Sequence, residues 1–456
     1  MAISKSIKVE KGHELEYHEG GPVIFHDADW IAYAVGAVCE TTIEEVYNNG
    51  KLKFEAKSKE ELYKNMKVKN KADMELQLKT NPRWKGVTFK SRLELEPIEN
   101  CLHSVNATIQ RIVDDLGASD QKLFITVGSS NFRNEVATLN KYKANRDGKE
   151  RPHYYEAIRQ HMITYHGAIE ATGMEAEDPV VTLHYQAHQE WLKGLTKGIQ
   201  MGTIDPLNPE DMECPYVMVS VDKDTFQSAG QHYNPKTEVL RWISELGKCE
   251  LETKYHETKK LKNGNPAVKS RKIRFDGLKG LYLQMLQGDE IDNIPGIPGY
   301  GPVKLFEVMN PLNRERDMYE TVLKAWEDYV PDFMADQDLQ DEIRKQKWDV
   351  QYRDKYQKSE HKKEIAAFLK KAKATRAKEW KEGTMSTNFH YYHWNQFELD
   401  EYDTPTIHLL PGKRERMEVE PYDLLQEVAT LLWIRHYEIA EGDCVDAPLS
   451  KFRHGL

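Results

Sequence analysis

The chain has 456 residues, of which 39% are hydrophobic and 30% are charged, and its formal net charge is −10. That length allows one large domain with insertions, or two or three smaller domains. The five cysteines are scattered and form no CxxC pair, which excludes a zinc ribbon and a disulfide framework. Because the N-terminus is polar and no apolar run approaches the ~20 residues of a membrane helix, we predict a cytoplasmic protein without membrane contact.

Predicted strands and helices alternate along the first half of the chain. Residues 1–20 are predicted to form a polar tail, and residues 40–100 a Lys/Glu-rich insertion with weak helical periodicity. Apolar runs predict strands at 22–25, 122–127 and 216–221, and helical spacing occurs at 30–38, 154–169 and 175–183. This alternation predicts an α/β fold with a mainly parallel central sheet flanked by helices. Asp27 and Asp222 follow two of these strands, so we expect them at the carboxyl edge of the sheet, where ligands bind.

A glycine- and proline-rich segment at 288–304, with the sequence GDEIDNIPGIPGYGPVK, is the most distinctive part of the chain. Glycines without side chains let a large polyanion approach the backbone, and prolines stiffen the loop. The remaining amide N–H groups can converge on an ion or a phosphate. Apolar residues on either side predict flanking helices, so the segment is expected to form a helix–hairpin–helix that grips a nucleic-acid backbone without reading its sequence.

Acidic residues occur in four separated places, three of them beside predicted strand ends or helix starts and one beside the hairpin. If they converge, so many like charges cannot all stay ionised without help. Hard divalent cations with oxygen ligands, such as Mg²⁺ in a pair ~3.5–4 Å apart, would relieve the repulsion. The candidates are Asp27; Glu175, Glu177 and Asp178; Asp222 and Asp224; and Asp289 and Asp292.

Between the second predicted strand and the next helix lies a segment that combines basic and aromatic residues. Lys143 is a compact charge that can neutralise a phosphate in a transition state. Tyr142 can stack on an unpaired base, and Arg133 and Arg146 can clamp neighbouring phosphates. Two further basic blocks, 254–274 and 361–381, can contact phosphates or can simply be solvated surface. No Walker-type motif occurs, so no nucleotide cofactor is predicted.

Several of these segments resemble the flap endonuclease and 5′→3′ exonuclease family, which includes the nuclease domain of bacterial DNA polymerase I and free-standing bacteriophage 5′ nucleases. The resemblance rests on the 288–304 segment, similar to the family's helix–three-turn–helix, and on four shorter motifs. These are Asp27 with Tyr33, the FR pair and YKANR at 132–146, GMEAED at 173–178, and SVDKD at 220–224. It covers residues 22–310 with gaps.

The resemblance implies a fold and a set of site residues. It implies a PIN-like nuclease core with a first metal ion on Asp27, Glu175 and Glu177. It implies a second ion on Glu177, Asp222, Asp224 and Asp289, with Asp178 and Asp292 as ligands through water. The ions would be Mg²⁺ or Mn²⁺, with a K⁺ ion at the hairpin. The residues implied to contact DNA are Tyr142, Asn293, Gly296, Gly299, Gly301 and Lys304, and those implied in catalysis are Lys143, Arg133 and Arg146.

Two positions depart from the family pattern. Thr126 stands about where many members carry a further aspartate, so the first metal site is expected to have one carboxylate fewer. Ala34 stands where the family often has an arginine, so one phosphate contact is expected to be lost.

The sequence therefore predicts a structure-specific 5′ nuclease that hydrolyses DNA or RNA–DNA primers by two-metal-ion catalysis. It is expected to act on 5′ ends and flaps, in phage DNA replication, primer removal or DNA degradation. Replication proteins are its candidate partners. Two alternatives remain: a non-catalytic DNA-junction binder and a nuclease for structured RNA. The predicted organisation is a tail (1–20), a nuclease core (21–230) with a gateway at 131–160, a basic loop with the helix–three-turn–helix (231–310), and a mainly helical C-terminal region (311–456).

Overall fold

Short local signals set the boundaries of the helices and strands. The computed structural model describes residues 15–146, 150–208, 212–345, 362–386, 388–392, 414–418, 420–434 and 449. The strands are β1 (Val23–Asp27), β2 (Glu40–Asn48), β3 (Lys51–Ala56), β4 (Val87–Leu95), β5 (Asp120–Asn131), β6 (Ile169–Gly173), β7 (Tyr216–Val219), β8 (Gly230–Asn234), β9 (Val239–Ile243), β10 (Cys249–Lys260), β11 (Pro266–Phe275), β12 (Asn388–Tyr392) and β13 (Arg414–Glu418).

The helices alternate with these strands over the first half of the chain and predominate after residue 300. They are α1 (Asp29–Val38), α2 (Lys59–Met66), α3 (Lys71–Thr80), α4 (Ile98–Leu116), α5 (Phe132–Val136), α6 (Tyr155–His166), α7 (Glu177–Met201), α8 (Gly277–Gln287), α9 (Pro302–Met309), α10 (Glu315–Lys345), α11 (Lys362–Lys381) and α12 (Pro421–Leu432). None of them, within the described ranges, combines the length and apolar character needed to cross a bilayer. The chain divides into two compact units, Met1–Thr126 with Lys149–Glu170 and Val127–Gly148 with Ala171–Leu456.

In the first unit, β1 and β5 pair in parallel, from Val23 opposite Asp120 to Asp27 opposite Phe124. Helices α1, α4 and α6 pack on one another. The buried face of α4 repeats at helical spacing, from Cys101 to Val113, and the helix ends where Gly117 adopts a left-handed φ of 58°. The α/β architecture with a mostly parallel central sheet, predicted from the sequence, is confirmed.

The insertion at 40–100 differs from its predicted weak helicity. It contains an antiparallel sheet in the order β3–β2–β4, together with the short helices α2 and α3. Its small core consists of Val46, Ala56 and Leu62. Thr41, Thr42, Ile43 and Val46 are β-branched and favour a strand over 40–48, although the surrounding charged residues obscure that preference.

In the second unit, β7 pairs in parallel with β8, and β8 pairs antiparallel with β9. Helix α8 is buried along its whole length from Gly277 to Leu286 and is the centre of the largest hydrophobic core. Trp326 of α10 is 1% exposed and donates an N–H to the carbonyl of Met285, 3.1 Å away, which ties the C-terminal helices to α8.

The C-terminal region is mainly helical where it is described. Helices α10 and α12 both pack with α8. The predicted apolar helix at 424–436 corresponds to α12, whose buried residues recur at helical spacing. The predicted strand at 404–410 lies outside the described residues.

The segment predicted as a basic loop at the start of 231–310 is largely regular structure. Strands β10 and β11 pair antiparallel from Cys249 opposite Phe275 to Lys260 opposite Pro266. Leu251, Thr253 and Tyr255 alternate along β10 and favour a strand, but the many lysines obscure this pattern in the hydrophobicity of the segment.

Candidate functional site

The first cluster of carboxylates stands at the start of α7. Gly173 ends β6 with φ of 72°, and the backbone N–H of Glu175 then donates to Asp178 Oδ2 at 2.9 Å. Glu175 and Glu177 are partly accessible, whereas Asp178 is fully buried. The residues predicted from GMEAED therefore divide into two partly buried acids and one fully buried acid.

The second cluster follows β7. The Asp222 N–H donates to Ser220 Oγ, and the Asp224 N–H donates to Asp222 Oδ1, both at 3.0 Å. These bonds turn the chain sharply after the strand. The Gln284 side chain of α8 donates to Asp224 Oδ1. Because Gln284 comes from a helix sixty residues away, nothing in the local motif predicts it.

The hairpin after α8 carries the third cluster. Backbone hydrogen bonds join Asp289 and Ile294 in both directions, at 3.0 and 2.8 Å. Asp289 Oδ1 accepts the N–H groups of Ile291 and Asp292, so this carboxylate also shapes the turn. Gly299 and Gly301 have open space where a Cβ would stand, and their amide N–H groups have no acceptor among the described residues. The glycine-rich part of the hairpin is thus open to a ligand.

Lysine and arginine side chains link the three clusters. Lys143 Nζ contacts Glu175 and lies 3.7 Å from Asp292, and Arg146 donates to Asp292 at 2.7 Å. Lys223, the residue between Asp222 and Asp224, lies 3.1 Å from Asp289 and 3.8 Å from Asp224. All these carboxylates therefore belong to one electrostatic network within the second unit, which the sequence motifs predicted without showing Lys223's part in it.

The pKa values of the network show that its negative charge is only partly balanced. Burial, with the charges of Glu175 and Asp222, raises the pKa of Glu177 well above its usual range. Burial and Asp222 raise the pKa of Asp224 to about 7. Burial opposes ionisation of Glu175 as well, but Lys143 and Arg133 outweigh it and lower the pKa of that carboxyl. Burial also raises the pKa of Asp292, although Lys143 and Arg146 lie beside that carboxyl.

The donor set suits a hard divalent cation because it consists of carboxylate oxygens whose mutual repulsion such an ion would relieve. Among the described residues, no three or more Asp, Glu, His or Cys side chains lie close enough together to hold a metal ion in their present positions. Lys143, Arg146 and Lys223 occupy the space between the acids instead. The carboxylates are thus suitable ligands for a divalent cation, and in this structure ammonium and guanidinium groups balance part of their charge.

Arg133 and Asp178 form a pair in the interior rather than at an accessible surface. The guanidinium makes two parallel bonds to Asp178, at 2.7 and 2.8 Å, and the two side chains are 1% and 0% exposed. Its remaining donors reach the carbonyls of Leu431 and Trp433, at the end of α12. A contact between Arg133 and a phosphate would require this pair to open, so we assign Arg133 a positioning role.

Tyr142 and Asn293 also make internal contacts. Tyr142 is 6% exposed, and its hydroxyl lies 3.3 Å from Glu175 and 3.2 Å from Asp292, so stacking on a base would require the ring to move. Asn293 has a left-handed φ of 59° and donates to the carbonyl of Lys141 at 2.9 Å. Both residues connect the YKANR segment to the hairpin. Lys304, by contrast, is exposed, with Nζ 3.6 Å from the centroid of the Tyr300 ring.

Asp27 lies in the first unit, at the end of β1, and is 8% exposed. The N–H of Asp29 lies 3.3 Å from Asp27 Oδ1, and Asp29 itself accepts the backbone N–H of Thr126 at 3.0 Å. Asp29 is thus a carboxylate beside Thr126 that the sequence reading overlooked, although the HDAD run at 26–29 contains it. The part of Asp27 in metal binding stays a prediction from the motif.

Two hairpin glycines allow a matched test, because one packs closely against neighbouring backbone and the other faces open space. A Cβ at Gly296 would lie 2.1 Å from the backbone carbonyl of Gln287, whereas a Cβ at Gly301 would meet nothing within 4 Å. We expect Gly296→Ala to cost roughly 3 kcal/mol in stability, the upper end of overpacking effects, because two backbone segments must separate. Gly301→Ala should leave the unfolding midpoint unchanged, because the added methyl group meets no neighbour. Urea unfolding measures both effects, and equal destabilisation by the two substitutions would contradict this packing.

No protein-family model and no curated protein matches the chain. A search of solved structures finds the T5 D15 protein co-crystallised with metal ions, at 18% identity and a TM-score of 0.27, covering 49% of this chain and 82% of that one. It also finds a pseudo-enzyme–product complex of the bacteriophage T5 D15 flap endonuclease with DNA and metal ions, at 17% identity and a TM-score of 0.27, covering 49% and 80%. Both are structures of a flap endonuclease, the kind of enzyme that the sequence motifs resemble.

Proposed function

We propose that this protein is a divalent-metal-dependent 5′ nuclease that hydrolyses phosphodiester bonds at 5′ ends, flaps or RNA–DNA primers. The observation that carries the proposal is the network of seven carboxylates, from Glu175 to Asp292, held beside a hairpin with open glycines. Glu175, Glu177, Asp222, Asp224 and Asp289 would hold Mg²⁺ or Mn²⁺, which when bound supplies Lewis-acid activation for hydrolysis. Asp178 already pairs with Arg133, and so serves the site through that residue.

Lys143 and Arg146 supply the positive charge on the protein side. Lys143 Nζ, which here pairs with Glu175 and Asp292, can pair instead with the scissile phosphate and neutralise charge that builds there. Arg146 is half exposed and can hold the neighbouring phosphate. Tyr142 and Asn293 keep the segment that carries both cations against the hairpin. The hairpin amides at Gly299 and Gly301 would contact the duplex backbone, with K⁺ as a candidate ion there.

The direct test is cleavage of a 5′-labelled flap DNA with and without Mg²⁺. The wild-type protein should cleave with Mg²⁺ and be inactive in EDTA, and the Asp222→Asn, Asp224→Asn double variant should lose roughly 100-fold or more of its rate, because two adjacent ionic groups are removed from the site. A matched control is Asp114→Asn, Asp115→Asn, which makes the same charge change on the exposed face of α4. A fully active double variant would refute the site.

A non-catalytic junction binder is favoured by one observation, namely that Glu175, Asp289 and Asp292 pair with lysine or arginine side chains of the protein itself. Such a protein would bind flap DNA in EDTA as tightly as in Mg²⁺ and would cleave nothing. Including an RNA hairpin of equal length as substrate tests the structured-RNA alternative in the same experiment, since a DNA nuclease of this kind should cleave the flap DNA faster.

A further inference from the structure

We propose that the outer part of the β10–β11 hairpin, residues 254–272, is a second nucleic-acid contact, which binds the sugar–phosphate backbone of a DNA duplex and includes none of the site's carboxylates. This segment is called the basic ribbon below. The inference goes beyond the proposed function because it concerns binding alone and would hold whether or not the carboxylates support cleavage.

The hairpin is anchored at one end and open at the other. Cys249 at its base belongs to the hydrophobic core of the second unit, with Ile273 and Phe275 packed against that core. Beyond Thr253 most residues of both strands are exposed, and Tyr255 is 55% exposed opposite Val268, which is 39% exposed. A turn closes the far end, where the Leu261 N–H donates to the carbonyl of Asn265 at 2.8 Å. The ribbon is thus anchored in the core at its base and exposed to solvent on both faces.

Its charge is concentrated and mostly uncompensated. Residues 254–274 contain eight lysines and arginines but one glutamate, Glu257. Lys254 and Arg274 pair with Glu252, at 3.7 and 3.0 Å. The other six cations are exposed and make no ion pair among the described residues: Lys259, Lys260, Lys262, Lys269, Arg271 and Lys272. Like charges held this close on a two-stranded arm repel each other, and a bound polyanion would remove that cost.

Cations on both sides of the ribbon favour a groove of duplex DNA over a flat partner. Opposed residues of an antiparallel pair share a face, and successive residues alternate faces. Arg271, opposite Thr253, and Lys272, opposite Glu252, therefore point to opposite sides. The major groove is about 12 Å wide, admits a two-stranded ribbon and has phosphates along both walls. An anionic membrane surface or a flat acidic protein would engage only one side.

The test measures DNA binding by the full-length protein in EDTA, so that no cleavage contributes. The probe is a blunt 30-base-pair duplex, with anisotropy recorded between 50 and 200 mM KCl. Each phosphate contact adds about 0.9 to the slope of log K against log salt. Replacing Lys259, Lys260 and Lys262 by alanine should lower that slope by about 2.7, so the wild type should lose about 40-fold more affinity than the variant across this salt range. Arg271→Ala, on a different part of the ribbon, should lower it by about 0.9.

The matched control replaces Lys51, Lys53 and Lys79, three exposed lysines of the first unit, by alanine. It changes the net charge by the same amount as the ribbon variant. An unchanged slope in that control, together with the expected fall in the ribbon variant, supports the proposal. Equal slopes in wild type and ribbon variant overturn it, as does a ribbon variant that binds DNA normally but loses binding to phosphatidylserine vesicles. Failure of Mg²⁺-dependent cleavage in the wild type would instead overturn the proposed function and leave this result standing.

Discussion

Arg133→Ala should destabilise the protein by about 3–5 kcal/mol, the largest effect on folding expected from a single side chain of the site. The substitution leaves Asp178 ionised or forced to take up a proton at 0% exposure, and breaking a buried pair by removing one partner has a cost of this size. It also removes the donors to the carbonyls of Leu431 and Trp433. Urea unfolding of the full chain at pH 7 measures the change.

A control substitution and a double-mutant cycle distinguish the effect of the buried ion pair from that of an exposed one. Arg316→Ala removes an exposed arginine from an ion pair with Glu320 on α10 and should change stability by less than about 1 kcal/mol. Combining Arg133→Met with Asp178→Asn removes both charges, so the double variant should be more stable than the sum of the single changes. Strict additivity of the two single effects would show that the guanidinium and the carboxylate do not depend on each other.

The pair also explains why the FR motif bears on the site without touching a ligand. Arg133 is at the start of α5, directly before the segment that carries Lys143 and Arg146, and Asp178 is in the first turn of α7, beside Glu175 and Glu177. The bidentate bond therefore fixes two elements that supply opposite charges to the network. Its bonds to the end of α12 extend this support to the C-terminal region, which the sequence motifs do not cover.

The sequence predicted those features that depend on local pattern. Apolar runs located β1, β5 and β7, and the GMEAED, SVDKD and hairpin motifs located acids that the structure joins through Lys143 and Lys223. Burial was not predictable in the same way, because an arginine in a basic segment has the same local signature whether it faces solvent or, like Arg133, the interior. Gln284 gave no signal, since only the packing of α8 brings it to Asp224.

The ribbon shows a related limit of sequence patterns. Eight cations in 254–274 suggested a loop because charge obscured the two-residue period of the strands. The pairing of Leu251 with Ile273 and of Tyr255 with Val268 supplies the apolar contacts that hold the hairpin, but these partners are separated in sequence by the turn. Strand pairing depends on such partners, which no single window contains.

Asp224→Asn should make the metal-free protein more stable while it lowers activity. The folded-state pKa of Asp224 is about 7, against an ordinary value of 3.8, so the folded state binds this proton more tightly than the unfolded state. Stability contributed by this group is therefore full below pH 3.8 and is lost as pH rises through 7. Above pH 7 the ionised carboxylate costs the folded protein about 2–4 kcal/mol, and asparagine removes that cost while keeping an oxygen acceptor for Gln284.

Unfolding in EDTA at pH 8 and at pH 5 tests the sign of this effect. The variant should exceed the wild type at pH 8 by most of that amount, and the difference should shrink at pH 5, where the wild-type side chain is protonated. Asp114→Asn, on the exposed face of α4, should show no such pH dependence. Adding Mg²⁺ at pH 8 should stabilise the wild type more than the variant, because a ligand that binds only the folded state raises its stability. A variant less stable than the wild type at pH 8 in EDTA would mean that Lys223 outweighs the repulsion from Asp222, and the network would then be balanced without a divalent ion.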